Sequence, residues 1–266
     1  MSPMAIAALE VVEVRSVGPG VVETFLAAAE LARDVTPGQF VMLRWRDALD
    51  PLLPRPMSVY RVSEVSGRRC VSVVYTVGGP GTARLAAARP GDKLAVLGPL
   101  GHGFDLSQPP RQALLVAGGI GIAGLGLLAH ELKRRAIPTT LAYGARSARD
   151  LVLLEEFAAV GCKLRVATDD GSRGVKGFVT AEVEAMASAG ELAGAEVYAC
   201  GPTPMLRSLD AVLKRHPLPA QLALEARMGC GFGICLGCAV PAADKPGTYH
   251  LVCKDGPVMR PDQVML

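Results

Sequence analysis

Four of the seven cysteines stand together near the end of the chain, as Cys230, Cys235, Cys238 and Cys253, with the spacing C-x4-C-x2-C and a fourth after 14 residues. A close triplet with one distant partner is the spacing of plant-type 2Fe-2S ligation, in which four thiolates hold two irons. Structural zinc tends to use two close C-x2-C pairs and is the rival reading of the same residues. Either metal would staple a Cys/Gly-rich segment of about 45 residues, too short for an ordinary core. Gly229, Gly231, Gly233 and Gly237 interleave the cysteines, so backbone N–H groups can turn toward the sulfurs without a side-chain clash. Cys70 and Cys162 sit inside apolar runs and read as core residues.

The rest of the chain divides by its patterning. From Glu10 to about Leu100 it is written in short β-branched runs cut by turns: Leu9–Val14, Val21–Leu26, Phe40–Leu43, Met57–Arg61, Cys70–Thr76 and Lys93–Leu97. Regular short strands point to a small barrel. A brief helix opens at Gly81-Thr82 and ends before the turn Arg89-Pro90-Gly91-Asp92, and Gln108-Pro109-Pro110 reads as a linker. After it, strands alternate with helices: Ala113–Ala117, Ile120–Arg135, Thr139–Tyr143, Leu151–Val160, Leu164–Ala167, Thr180–Ala189, Val197–Ala199 and Pro204–Arg215. That order implies a parallel sheet wrapped by helices. Thr203 is expected to cap the last of these helices, with Pro204 at its first position, and Asp150 to cap an earlier one. The expected fold class is therefore multidomain β plus α/β: an antiparallel six-stranded barrel over 1–108, a doubly wound parallel α/β domain over 109–221 and a small cysteine domain over 222–266.

Composition excludes some partners. The formal net charge is +3 and the basic residues are scattered, without the dense stripe of a nucleic-acid surface. Gln112–Ala129 runs 18 residues without a charge, but Gly118, Gly119, Gly121, Gly124 and Gly126 break it into a strand, a turn and a helix start, so it is not expected to span a membrane. Met1–Glu10 shows no basic region ahead of its apolar residues, so a cytoplasmic location is expected. There is no G-x-S-x-G elbow, no phosphate loop ending in G-K-[ST] and no H-E-x-x-H, so hydrolase and nucleotidase readings have no support.

Three further motifs carry candidate chemistry. Gly119-x-Gly121-x-x-Gly124 follows a strand and opens a helix, which suits a phosphate at a helix N-terminus; glycines that merely allow close packing are the alternative. The ribose-binding acid is absent from the next strand end, Tyr143-Gly144-Ala145-Arg146, but the one after reads Thr168-Asp169-Asp170-Gly171-Ser172. Two carboxylates there would bond ribose hydroxyls and repel a 2′-phosphate, favouring NAD over NADP, although a solvated loop reads the same way. Cys200-Gly201-Pro202 at a strand end places a thiol where a nicotinamide face could lie, or simply a buried inert cysteine. In the barrel, Arg55-Pro56-Met57-Ser58 and Gly78-Gly79-Pro80-Gly81-Thr82 could together clamp a pyrophosphate, or be a surface arginine and an ordinary loop.

Taken jointly, the order of these motifs resembles the ferredoxin-NADP reductase superfamily with an appended cluster. Arg55-Pro56-Met57-Ser58, Gly81-Thr82, Leu97-Gly98-Pro99-Leu100-Gly101, Gly118-Gly119-Ile120-Gly121, Thr168-Asp169-Asp170-Gly171, Cys200-Gly201-Pro202 and Glu225-x-Arg227-Met228-x-Cys230-Gly231 look like the electron-transfer subunits of class 1B dihydroorotate dehydrogenases. The resemblance covers nearly the whole chain. It implies FAD held by Arg55, Pro56, Met57 and Ser58, by Val74, Tyr75 and Thr76, and by Gly81 and Thr82. It further implies NAD on the second domain, at Gly119, Gly121, Asp169, Gly201 and Pro202, with Cys200 beside the nicotinamide. Electrons would run from an FMN-containing catalytic subunit, in a heterotetramer of two and two, through the 2Fe-2S cluster and FAD to NAD, in pyrimidine biosynthesis. Subunits of sulfide dehydrogenase and of NADH-dependent ferredoxin:NADP oxidoreductase share the module order and are the alternative. His102 departs from the small polar residue expected at its place.

Overall fold

The computed structural model describes residues 5–45, 50 and 52–266. The first strands are β1 (Ala5–Gly18), β2 (Val21–Ala27), β3 (Phe40–Trp45), β4 (Arg55–Val65), β5 (Arg68–Thr76) and β6 (Lys93–Leu100). They close into an antiparallel barrel in the order β1-β2-β5-β4-β3-β6. Two short helices, α1 (Leu31–Asp34) and α2 (Pro80–Ala86), lie in the connections. The six runs read from the sequence are these strands, each one longer in the structure.

Packing on both faces explains why β5 is buried from Cys70 to Tyr75. Val71, Val73 and Tyr75 point into the barrel core. On the other face, Val74 joins a second core shared with the α/β domain. A strand covered on both faces loses the in/out polar alternation of a one-sided sheet.

The second half holds β7 (Gln112–Gly118), α3 (Gly126–Arg134), β8 (Thr139–Ala145), α4 (Leu154–Val160), β9 (Lys163–Thr168), β10 (Val175–Lys176), α5 (Val179–Ser188), β11 (Ala195–Cys200) and α6 (Thr203–Arg215). It continues through β12 (Ala220–Ala223), the hairpin β13 (Ala239–Pro241) and β14 (Tyr249–Leu251), and β15 (Val258–Met259). The seven-stranded sheet runs β10-β9-β8-β7-β11-β12-β15 and is parallel except at β15. Helices α3 and α4 pack with the barrel on one face, and α5 and α6 cover the other, as expected of a doubly wound sheet. The expected boundary at 221 falls inside β12, and β15 brings the cysteine segment back onto the sheet edge. Among the described residues no helix is long and apolar enough to cross a membrane.

Three local expectations are corrected. The helix expected over Ile120–Arg135 is a 3-10 stretch, Gly119–Leu125, followed by α3. Its glycine backbone is pressed against neighbours: a Cβ at Gly121 would stand 2.2 Å from the Cys200 carbonyl oxygen, and one at Gly126 2.2 Å from the Tyr60 ring. Helix α6 starts at Thr203 with Pro202 as its N-cap, so Thr203 does not cap it. Asp150 does not cap α4, because its carboxylate accepts from Ser147 Oγ at 2.7 Å and the chain enters the helix through Leu153 at φ +63°.

A buried charge network ties barrel to sheet. Glu23 on β2 is fully buried and its carboxylate accepts from Arg15, Arg61 and Ser72 at 2.6–2.9 Å. The same two arginines reach Glu156 on α4, each at 2.9 Å. Both guanidinium groups lie 5.3 Å from the centre of the Phe25 ring, which adds a cation–π contact on each side.

Candidate functional site

Parallel strands leave their carboxyl ends open where neighbouring connections diverge to opposite faces, and ligands bind in that crevice. Here the crevice is a cavity of about 660 Å³ at the ends of β7, β8, β9 and β11, closed on one side by the barrel residues Pro19, Val21 and Thr76. Gly119, Asp169, Pro202 and Thr76, all expected in a site, line it. Gly119 has φ +51° and open space where a Cβ would be, so the backbone there is accessible to a ligand. Gly121 is spent on packing against Cys200 and does not form the wall. Gly201 lies against Met205 and Gly118, also behind the lining.

Of the two adjacent carboxylates, only Asp169 faces the cavity. Asp170 accepts from Ser172 Oγ at 2.6 Å and from its N–H at 2.9 Å, which holds its carboxyl below the usual range. Cys200 lies just behind the wall, its sulfur 2.8 Å from where a Gly124 Cβ would stand, with Ser58 Oγ at 3.6 Å from that same point. Burial foremost, with Glu225 adding to it, pushes the Cys200 thiol up to about 12, so it is a neutral thiol and not a nucleophile.

Sequence reading missed the wall residues Arg146, Phe178, Thr180 and Glu225. The rule that ligands lie at carboxyl ends of parallel strands could have found Arg146, which directly follows β8. Glu225 is open to the cavity but ringed by protein atoms, and that desolvation raises its carboxyl above the ordinary value.

On the barrel, Arg55 and Gly81 meet: a Cβ at Gly81 would stand 2.4 Å from Arg55 Nε, so the guanidinium is laid over the start of α2. The Gly78 and Gly79 N–H groups donate to Thr82 Oγ1 at 3.0 and 3.2 Å, so these two are spent inside the loop and are not free for a phosphate. Tyr75 bonds Thr24 at 2.9 Å inside the barrel, so its ring is unavailable to a ligand, whereas Thr76 is exposed and Val74 packs toward the sheet. Pro56 and Ser58 lie on the outer face of β4, and Met57 packs against the barrel core. A cation held over a helix start, beside a strand face turned to the dinucleotide crevice, fits a flavin dinucleotide.

The four cysteines form two pairs. Cys238 and Cys253 sulfurs are 3.2 Å apart, and the Cys235 N–H donates to the Cys230 sulfur at 3.5 Å. Gly233 N–H donates to Cys253 Sγ at 3.2 Å and Cys253 N–H to Cys238 Sγ at 3.4 Å. Burial opposes a thiolate at Cys230, but the N–H groups of Cys235, Phe232 and Ile234 outweigh it and bring the thiol down to about 6. Among the described residues no three ligand side chains converge on a single ion. A two-iron cluster takes two thiolates per iron, and the two thiol pairs fit that arrangement.

A closed antiparallel barrel, a nucleotide crevice beside it and a thiolate loop against both define a ferredoxin reductase-like oxidoreductase with an iron–sulfur domain. The model of the iron–sulfur cluster binding domain of dihydroorotate dehydrogenase B matches residues 225–265, and that of an oxidoreductase NAD-binding domain matches 115–211. The chain is 40% identical over 260 residues, 97% of its length and 98% of the relative's, to the dihydroorotate dehydrogenase B (NAD(+)) electron transfer subunit of Geobacillus thermodenitrificans. It is 43% identical to the subunit of the same name from Bacillus caldolyticus, over 86% of this chain and 87% of that one. A solved NADH-dependent reduced ferredoxin-NADP oxidoreductase, described for flavin-based electron bifurcation, superposes with TM-score 0.82 at 27% identity, covering 100% of this chain and 91% of that one. The chain belongs to the family of dihydroorotate dehydrogenase B (NAD(+)) electron transfer subunits.

Proposed function

We propose that this chain carries electrons between a catalytic subunit that oxidises dihydroorotate and NAD+, using a 2Fe-2S cluster and FAD. The observation that carries this is the placement of three sites around one barrel face: paired thiols beside β3, Arg55 and Ser58 on β4, and the dinucleotide cavity beyond. When bound at that face, FAD would supply hydride exchange with nicotinamide and single-electron exchange with an iron–sulfur centre.

The chain's own residues do the positioning. Asp169 accepts from ribose hydroxyls and disfavours a 2′-phosphate by charge, which supports NAD over NADP. Arg55 neutralises a flavin pyrophosphate. Gly119 lets the NAD pyrophosphate approach the backbone, while Pro202 and the neutral Cys200 shape the wall behind the nicotinamide. Cys230 with Cys235, and Cys238 with Cys253, would each hold one iron, and the N–H groups aimed at their sulfurs would stabilise the charge they carry.

The partner is an FMN-containing subunit, two of each in a heterotetramer. Phe232, Ile234 and Leu236 project 38, 74 and 61% exposed from the cysteine loop, an apolar rim suited to a protein surface brought close to the cluster. All seven cysteines are free thiols, Cys235 among them exposed, which suits a reducing compartment and supports the cytoplasm. The test is anaerobic: NADH added to the purified chain should bleach both flavin and iron–sulfur absorption, and with the catalytic subunit dihydroorotate should reduce NAD+. A colourless protein holding zinc would overturn the reading.

A further inference from the structure

Side chains on β3 alternate, with Val41 and Leu43 in the barrel core and Phe40 and Met42 on its outer face. The β3–β4 register sets Met42 opposite Pro56 and Phe40 opposite Ser58, and opposite residues share a face. Met42 is therefore one strand spacing, about 4.8 Å, from the strand that carries Arg55 to Ser58. On its other side it meets the cysteine loop. A Cβ at Gly231, next to Cys230, would stand 2.5 Å from Met42 Cγ and 3.0 Å from its sulfur. Gly231 has φ +85°, so loop conformation and contact both require glycine there. Met42 is 2% exposed, and its apolar cluster continues to Cys238 and Cys253.

We infer that Met42 is a positioning residue that seats the cysteine loop against the flavin-binding face of the barrel and thereby sets electron transfer between the two centres. The inference rests on the relay described above. Methionine suits the place because a flexible thioether fills an irregular gap between two separately built surfaces. Truncation to alanine leaves a cavity into which the loop shifts, and a longer gap between the two centres slows an electron crossing it.

The test uses the holoprotein under anaerobic stopped flow. NADH is the only reductant needed: its hydride would carry two electrons and a proton to FAD and leave NAD+, after which the cluster would take one electron from the flavin and the other would stay on it. In Met42→Ala the flavin should bleach at the wild-type rate with unchanged KM for NADH, while cluster bleaching slows by about twofold or more. Resting Met42→Ala should also release iron to a chelator faster. Met42→Leu, which conserves volume, should restore both properties. Cluster bleaching and iron release at wild-type rates in Met42→Ala would overturn the inference, as would equal slowing of flavin and cluster in both variants. If the alanine variant does not hold its cluster, Met42→Val carries the same comparison. Failure of the wild-type protein to bleach with NADH would instead overturn the relay itself.

Discussion

Replacing Glu23 by glutamine keeps the shape of the side chain and removes its charge. In the native chain that carboxylate is fully buried and neutralises Arg61, whose side chain is 19% exposed, and Arg15, which is 39% exposed. Removing one partner of a buried pair costs about 3–5 kcal/mol, because a desolvated charge is left uncompensated. The low end applies: Arg61 keeps Glu156 at 2.9 Å, and solvent screens the more exposed Arg15. A loss of about 3 kcal/mol corresponds to a fall in Tm of roughly 6–12 °C for a chain of this size. Glu156→Gln should cost only about 1 kcal/mol, since that side chain is 32% exposed. The double variant should lose less than the sum, because both carboxylates serve the same two arginines. Melting curves of the holoproteins followed by circular dichroism read all three. A Glu23→Gln loss under about 1 kcal/mol, or one equal to that of Glu156→Gln, would refute the claim that burial makes this network matter.

Other outcomes follow from the site. Asp169→Asn should lower the preference for NADH over NADPH by about ten- to a hundredfold, the worth of a charged hydrogen bond, measured as the ratio of kcat/KM values. Gly121→Ala, which forces a Cβ to 2.2 Å from a backbone carbonyl, should destabilise by about 1–3 kcal/mol. Gly119→Ala, strained by φ +51° but unobstructed, should cost about 1 kcal/mol, and the difference shows in Tm. With its thiol raised to about 12, Cys200 should stay unlabelled by iodoacetamide in the folded protein at pH 8, and peptide mapping that finds it alkylated would contradict the assignment.

The barrel was legible because its strands announce themselves locally: Cys70–Thr76 is β-branched between turns and remains a strand wherever it packs. The four thiols were legible by spacing, though their pairing was not, since 14 residues of intervening chain decide which sulfur meets which. The Arg15–Glu156 contact joins residues 141 apart, and no local pattern marks it. Glu225 was legible as part of a motif but not as a wall residue, since its place just past β12, whose carboxyl end opens on the cavity, depends on the sheet order. Thr203 failed as a cap because Pro202, with its fixed φ, already sits at the turn into α6. Strand β15 is two residues long and exists only because β12 offers it a partner.

That pairing links iron chemistry to self-association. The segment that carries the thiols also covers the outer rim of the sheet at β12. An uncovered strand presents a row of idle amide and carbonyl groups that recruit strands from other molecules. Oxidation that dislodges the cysteine segment would therefore strip a seal as well as a redox centre, and damaged molecules would be found in oligomers before they were found unfolded.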